Sequence, residues 1–471
     1  MTSSVTTPYK KVVLDIFKND IADTNTRYYV GLAGTETILQ PESIISGSEL
    51  WEQKLRHRLI SIKTASSTSF VVRSYLWSNR YDLGQGGIIP EFTDTGENNF
   101  YIVNSSNEVF VCVKTGSNID GSLVASTVEP TRALAVAANG QSKTFRTNDQ
   151  PSDTTGESGY LWRYIYTLSN VALSLFKTTD WIPVKTITGE TQIVQEKLQK
   201  LNQDSAKAGE IIGLSIDSSG TGYTAAPTIT ILGNGDSAVF TCLIDEGKIV
   251  RVLPDSNGNG IFNHGYGYQY ATASLSSGDA VLRPIISQKG LSKDPVDTLR
   301  SESLMLQVDF VGDETDTILA QNEFNQVCIL RKPKKFTTVD DSDFIASTGN
   351  CLKSLTLGSG GPTGFQLNEK FNNGGSGRGI VAAKLGDVLY YYQTEETGFT
   401  TFQEGNSITG EITGANSSVQ VGGVGDPDID LYSGDILYIN NYGAEELQDE
   451  TDGVDRTENQ TEDLRIVFQL G

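Results

Sequence analysis

The chain has 471 residues, 37% of them hydrophobic, and a formal net charge of −22 at pH 7. That length suffices for several domains with at least one large core, while the acidity disfavours general binding to DNA or RNA by counterion release. Its 48 glycines, 13 prolines, 19 Tyr and 18 Phe favour short strands and tight turns over a helical bundle, so the expected fold is mainly β: a multi-domain, all-β sandwich- or barrel-like body with a few short helices and inserted small β-modules.

The Ser/Thr-rich stretch Met1 to Pro8 shows no basic-then-apolar leader, and no apolar run approaches the ~20 residues of a membrane-spanning helix, so neither secretion by signal peptide nor a membrane span is expected. Ser46-Gly47-Ser48-Glu49 has capping-box spacing, and Trp51, Leu55 and Leu59 recur every four residues, which predicts an amphipathic helix from about 48 to 60. Strands are expected at Phe70-Val71-Val72, Tyr101-Ile102-Val103, Glu108 to Lys114 and Tyr160 to Leu168, with a polar surface loop from Ala138 to Ser158. A second helix is expected near 190 to 203, with Val194, Leu198 and Leu201 forming its apolar face. Cys112, Cys242, Cys328 and Cys351 contain no C-x-x-C pair, and Cys112 and Cys328 read as small, reduced hydrophobes inside apolar strands.

Residues 209–288 hold an imperfect repeat. Gly209-Glu210-Ile211-Ile212, Gly220-Thr221-Gly222-Tyr223 and Gly233-Asn234-Gly235-Asp236-Ser237-Ala238-Val239 form one copy. Gly247-Lys248-Ile249-Val250, Gly265-Tyr266-Gly267-Tyr268 and Ser277-Gly278-Asp279-Ala280-Val281 form the other. Either copy alone leaves an apolar face exposed, so the two together are expected to make one β-module. A glycine-rich opening at Gly358 and strands at Asp387 to Gln393 and Ser407 to Ile412 mark a second insertion, 358–428. The body is then 1–208, 289–357 and 429–471.

Candidates for chemistry are few. The chain has two histidines: His57 is expected to be an exposed residue of the first helix, and His264 sits in a Gly/Asn stretch without a nucleophile signature. Asp255-Ser256-Asn257-Gly258-Asn259-Gly260 opens like a calcium loop, but Tyr266 stands where the closing Glu is needed, and an ordinary turn is the preferred reading. Asp340-Asp341-Ser342-Asp343 and Asp426-Pro427-Asp428-Ile429-Asp430 read as solvated loops. Gly374 to Gly379 lacks the G-K-(S/T) ending of a phosphate loop, and Arg331-Lys332-Pro333-Lys334-Lys335 reads as a solvated strand end or partner contact. Asp449 to Asp463 is acidic apart from Arg456, which suits either a mobile loop or docking on a basic neighbour. The alternating Tyr160, Trp162, Tyr164 and Tyr166 fit sheet packing better than a stacking platform. No catalysis, cofactor or metal is expected.

Three blocks carry a resemblance. Gly159-Tyr160-Leu161-Trp162-Arg163-Tyr164 is similar to a G-Y-x-W-x-Y strand. Phe324-Asn325-Gln326-Val327-Cys328-Ile329-Leu330-Arg331-Lys332-Pro333 is similar to an F-x-Q-(I/V)-x-(I/L)-(I/L)-x-x-P segment. Ser433-Gly434-Asp435-Ile436-Leu437-Tyr438-Ile439 is followed by the acidic turn Gln460-Thr461-Glu462-Asp463 and a last strand in which Leu464, Ile466, Phe468 and Leu470 alternate. In this order the blocks resemble the T-even-type gene-product-eight family, a baseplate wedge subunit of contractile-tailed bacteriophages. About a tenth of the chain matches motif for motif, and both insertions depart from the family.

The resemblance implies a structural virion protein of the tail baseplate, assembled in the host bacterial cytoplasm. Its partners would be other wedge subunits and tail-fibre-anchoring proteins, with two copies per wedge or a homodimer, and neither nucleic acid nor membrane. The competing reading is a receptor-binding or fibre-type virion protein whose Gly-Tyr module binds host surface glycans. It predicts a free trimer that binds cells.

Overall fold

The computed structural model describes residues 7–34, 49–65, 67–79, 87–93, 99–135, 144–147, 159–255, 262–312, 314, 317–337, 341–441, 454–457 and 460–470. Strands predominate over helices among them, and the mainly β, multi-domain class is borne out, with several antiparallel sheets and one closed six-stranded barrel. The described helices are α1 (Thr7–Ala22), α2 (Glu49–Arg58), α3 (Arg132–Ala135), α4 (Asn170–Phe176), α5 (Val194–Ser205) and α6 (Pro295–Thr298). The chain divides into two compact units, 1–14 with 69–305 and 467–471, and 15–68 with 306–466.

In the first unit, Tyr101–Val103, Glu108–Lys114, Leu161–Thr167 and Thr144–Arg146 form an antiparallel sheet in that order. The strand Thr144–Arg146 falls within the stretch expected to be loop, whose remaining residues apart from Thr147 lie outside the described ones. Ile102, Phe110, Cys112, Phe145, Tyr160, Trp162 and Tyr164 make the core on one face. Leu161 and Ile165 are fully buried on the other face, so the aromatic strand is central and apolar on both sides.

The repeat of the same unit forms a module with exchanged halves. The first copy's opening strand, Glu210–Ser218, pairs with the second copy's last strand, Val281–Ser287. The second copy's opening strand, Lys248–Pro254, pairs with Phe240–Asp245 of the first. Ile229–Gly233 and Ala271–Leu275 pair antiparallel, and Asp236 lies opposite Tyr266. Both G-x-G turns need two left-handed glycines: Gly220 and Gly222 at φ 67° and 75°, Gly265 and Gly267 at φ 68° and 76°. Tyr223 and Tyr268, which follow those turns, are buried in one core with Ile211, Phe240 and Ile249.

In the second unit, Thr348–Asn350, Leu59–Thr64, Tyr28–Ala33, Gln326–Arg331 and Asp435–Asn441 form a five-stranded sheet. Its core includes Tyr29, Leu55, Leu59, Cys328 and Leu330. Lys353–Leu357, Lys370–Asn372, Arg378–Leu385, Val388–Tyr392, Ser407–Gly410 and Asn416–Gly425 close into the barrel, with Leu355, Phe371, Val381, Tyr391 and Phe402 filling it. The barrel begins and ends on neighbouring strands, with Ser354 opposite Gly425, just as the repeat module begins and ends with Glu210 opposite Ser287.

Two helices differ from expectation. α1 falls in a stretch where no element was expected. Its Lys10 and Lys11 turn inward to Glu302, Asp294 and Asp297, while Tyr9 and Val12 are exposed. α5 forms where expected with its faces reversed. Glu196, Gln199, Asn202 and Gln203 are buried, whereas Val194 is 65% and Leu201 41% exposed. The polar face is satisfied inside: Asn202 Nδ2 donates to the carbonyls of Tyr164 and Ile165 at 2.9 and 2.8 Å, and Gln203 Oε1 accepts from Ile187 N at 3.1 Å. Buried, hydrogen-bonded amides replace the expected apolar contact.

Candidate functional site: the signature residues and their neighbours

The sequence-matched positions separate into one cluster in the first unit and two joints in the second, with Phe468 in the 467–471 segment of the first. In the first unit, the aromatic side chains of Tyr160 and Trp162 are stacked at 5.5 Å. Tyr160 Oη donates to Val124 O at 2.6 Å, Trp162 Nε1 to Thr147 Oγ1 at 3.1 Å, and Tyr164 shares a 2.9 Å hydrogen bond with Thr167 Oγ1. A Cβ on Gly159 would lie 1.9 Å from Thr147 O, so a side chain there displaces backbone. These residues are packing, as the sequence favoured.

In the second unit, Phe324 is buried beside the strand that starts at Gln326, and this strand pairs with the Ser-Gly block: Ile329 faces Tyr438 and Arg331 faces Asp435. Gly434 makes the junction. At φ 72° its backbone lies so close to the neighbouring chain that a Cβ would meet Arg331 O at 2.6 Å and Pro333 N at 3.0 Å. Ser433 Oγ accepts from Lys334 N at 2.8 Å. The buried guanidinium of Arg56, on α2, donates to the carbonyls of Leu431, Ser433 and Gly434 at 2.9, 2.7 and 2.7 Å and pairs with Glu52. Phe324, Gln326, Pro333, Ser433, Gly434 and Tyr438 therefore belong to one joint.

Glu462 belongs to a second joint. It is buried, and its carboxylate lies 2.6 Å from Nε of Arg456, which is fully enclosed; Nη1 of the same arginine donates to Leu319 O at 2.8 Å. The strand Val454–Arg456 pairs with Asn322–Phe324. The expectation of either a mobile or a docking acidic loop is thus corrected at Arg456 and Glu462, whose charges are spent on each other; Asp449, Glu450, Asp452 and Glu458 lie outside the described residues. Gln460 is half-buried, Thr461 exposed and Phe468 half-buried, and none of them joins the pair.

Both histidines are buried, which overturns the expected exposure of His57. Its Nε2 lies 2.9 Å from Tyr432 Oη, its Nδ1 3.2 Å from the Glu395 carboxylate, and its ring 4.8 Å from that of Phe399. Burial pushes the imidazole below its ordinary range and outweighs the pull of Glu395. His264, on the short strand His264–Tyr266, is fixed as one tautomer: Nδ1–H donates to Ile211 O at 2.9 Å, and Thr144 Oγ1 donates to Nε2 at 2.9 Å. The same Thr144 oxygen accepts from Arg163, whose Nη2 is 2.8 Å from the buried Glu210 carboxylate. Arg251 donates to Ser117 Oγ and to Gly159 O, the latter at 3.0 Å. Glu210, Arg251 and His264 therefore seat the repeat module on the adjoining sheet through buried polar contacts, a role invisible in sequence because their partners are remote.

The other candidates are spent locally. Lys334 pairs with Asp343 at 2.7 Å, Asp428 accepts from Asn350 N at 2.7 Å, and Asp430 accepts from Tyr432 N at 3.0 Å. Asn373 Oδ1 accepts from Gly375 N and Gly377 N, making Gly374 to Gly379 a hairpin turn. Asp340 and Ser256 to Gly260 lie outside the described residues. The four cysteines are buried, and burial pushes the Cys328 thiol up to about 12. A cavity of about 670 Å³ in the first unit has Glu91 and Lys114 in its lining, and these pair with each other at 2.8 Å. Among the described residues, no group of three or more His, Cys, Asp and Glu is placed to hold a metal ion.

No protein-family model matches the chain, and no curated protein matches it. The functional reading therefore rests on the residues themselves. Sequence reasoning missed Glu369, a fully buried carboxylate in the barrel. It accepts from Gln366 N at 2.6 Å, Ile412 N at 3.2 Å and Thr413 N at 3.1 Å. These bonds fix a turn that holds Ile412 72% exposed. With Val194 and Leu201 of α5, this gives the protein apolar groups displayed outward on rigid supports.

Proposed function

We propose that this chain is a structural subunit of the baseplate wedge of a contractile bacteriophage tail, linking other wedge proteins and supporting tail-fibre attachment. One observation carries the reading. Three residues behind the family resemblance, Ser433, Gly434 and Glu462, sit in joints between segments distant in sequence: Arg56 donates to the Ser433 and Gly434 carbonyls, and Arg456, paired with Glu462, donates to the Leu319 carbonyl. A part that transmits force between neighbours needs such internal joints, and it needs anchors facing outward. The outward Val194 and Leu201, held by a helix whose polar side is satisfied within, have the character of contact residues.

Light scattering after size-exclusion chromatography, alone and with the tail proteins encoded beside it, tests the reading. A monomer or dimer that co-elutes with a tail partner is expected. A stable trimer that binds cells and no tail partner overturns it.

A further inference from the structure

The two copies of the repeat provide an internal comparison. Their turns have matching glycine conformations and the same buried tyrosine, yet three adjacent positions differ. Where the first copy has Thr221, Thr224 and Ala225, the second has Tyr266, Gln269 and Tyr270. Tyr266 is 44% and Tyr270 66% exposed. The first copy makes its turn without aromatic rings, so the fold does not require them, and large exposed rings carry a cost in solubility.

Polar neighbours hold the backbone at Tyr270 and the hydroxyl of Tyr266. Asn234 Oδ1 accepts from Gln269 N at 2.9 Å and Tyr270 N at 3.3 Å, while Asn234 Nδ2 donates to Gln269 Oε1 at 3.3 Å. Asp236 lies opposite Tyr266 in the strand pair and accepts from its hydroxyl at 3.4 Å. Lys207 Nζ lies 5.0 Å from the Tyr266 ring centroid. The result is a turn with a fixed backbone that carries two exposed rings beside amide and carboxylate groups.

We propose that this turn of the second copy is a binding site for a neutral carbohydrate. A sugar presents C–H faces that pack on aromatic rings and hydroxyls that bond to amides and carboxylates, and this surface offers both within one turn. At the site the Asp236 carboxylate offsets the Lys207 ammonium, and the chain's net charge of −22 then disfavours acidic sugars. The site stands independently of the wedge reading, since a tail subunit and a fibre-type protein can each carry it.

The test uses the full chain and a panel of neutral hexose and N-acetylhexosamine oligosaccharides, with a uronic-acid polymer as the charged comparison, read by saturation-transfer NMR. Tyr266→Thr with Tyr270→Ala installs the residues that the first copy already uses, so the fold is retained, checked by an unchanged Tm. Binding to at least one neutral oligosaccharide, weakened about tenfold or more in the double variant, is expected. Absence of binding to every neutral member, undiminished binding in the double variant, or equal binding of the uronic-acid polymer overturns the proposal. Displacement of the bound oligosaccharide by intact bacterial cells assigns it to a surface polysaccharide; lack of displacement assigns it to a soluble sugar, and both uphold the site.

Discussion

Tyr223 closes over Gly278 so tightly that a Cβ on Gly278 would lie 2.3 Å from the tyrosine ring, and Tyr268 closes over Gly235 in the same way at 2.4 Å. Each tyrosine belongs to one copy of the repeat and each glycine to the other. Neither copy completes its own core, which is the physical reason that the duplication is kept as a pair.

Replacing Gly278 tests this lock. Gly278 is at φ 83°, so Gly278→Ala adds backbone strain to the clash with Tyr223. A loss of about 1–3 kcal/mol is expected by urea unfolding. Tyr223→Phe removes the acceptor of the 2.9 Å bond from Ala280 N and should cost less, about 1 kcal/mol.

The Arg456–Glu462 pair is enclosed, so removing one partner strands a charge. Glu462→Ala is expected to cost about 3–5 kcal/mol in urea unfolding, whereas Arg456→Met combined with Glu462→Leu should recover much of the loss. A single variant as stable as the parent would show that the pair contributes nothing.

Glu369 ties barrel stability to pH. Burial pushes its carboxyl up, but the bonds from Gln366, Thr413 and Ile412 outweigh this and hold it below the usual range. A carboxyl depressed in the folded state stabilises above its unfolded value, about 4.3, and loses that contribution as pH falls through its folded value. Glu369→Gln should therefore lower stability at pH 7 by about 1.5–3 kcal/mol, with the gap to the parent narrowing in acid. Thermal unfolding from pH 7 to pH 3 reads both effects.

Both histidines are pushed down mainly by burial. The unfolded chain then binds more protons than the folded one just below about pH 6.5, so stability falls as pH drops through that window. His57→Gln should reduce this slope. With two histidines in the chain, NMR can follow each ring; a midpoint at or above 6.5 for His57 would contradict its burial against Tyr432 and Phe399.

α5 offers a test that separates folding from assembly. Val194→Lys with Leu201→Lys alters exposed positions and should change stability by no more than about 0.5 kcal/mol. On the wedge reading proposed above, the same variant should co-elute less with a tail partner. Asn202→Ala, on the buried side, leaves the Tyr164 and Ile165 carbonyls without its amide and should cost about 1–3 kcal/mol.

Elements with strong local signals were legible in the sequence: the Tyr160–Tyr166 strand, α2, and the repeat with its turn glycines. The α5 apolar stripe was real, but periodicity records only that two faces differ; which one turns inward depended on the remote carbonyls that Asn202 meets. His57 looked exposed because Lys54, Arg56 and Arg58 surround it in sequence, yet Tyr432 and Phe399 cover it. The candidate joints were partly legible, since Gly434 and Glu462 stood out by motif, whereas Arg56 and Arg456 became meaningful only when distant carbonyls and a carboxylate were brought to them.

The paired strands at the two ends of the repeat module and of the barrel have an evolutionary consequence. Glu210 faces Ser287 and Ser354 faces Gly425, so each segment is a cassette whose ends are already side by side. Genetic exchange can replace the contents of either cassette without stretching the surrounding chain, provided that the newcomer also returns beside its starting point. Each cassette is thus a ready port through which this protein can acquire new surfaces while its framework persists.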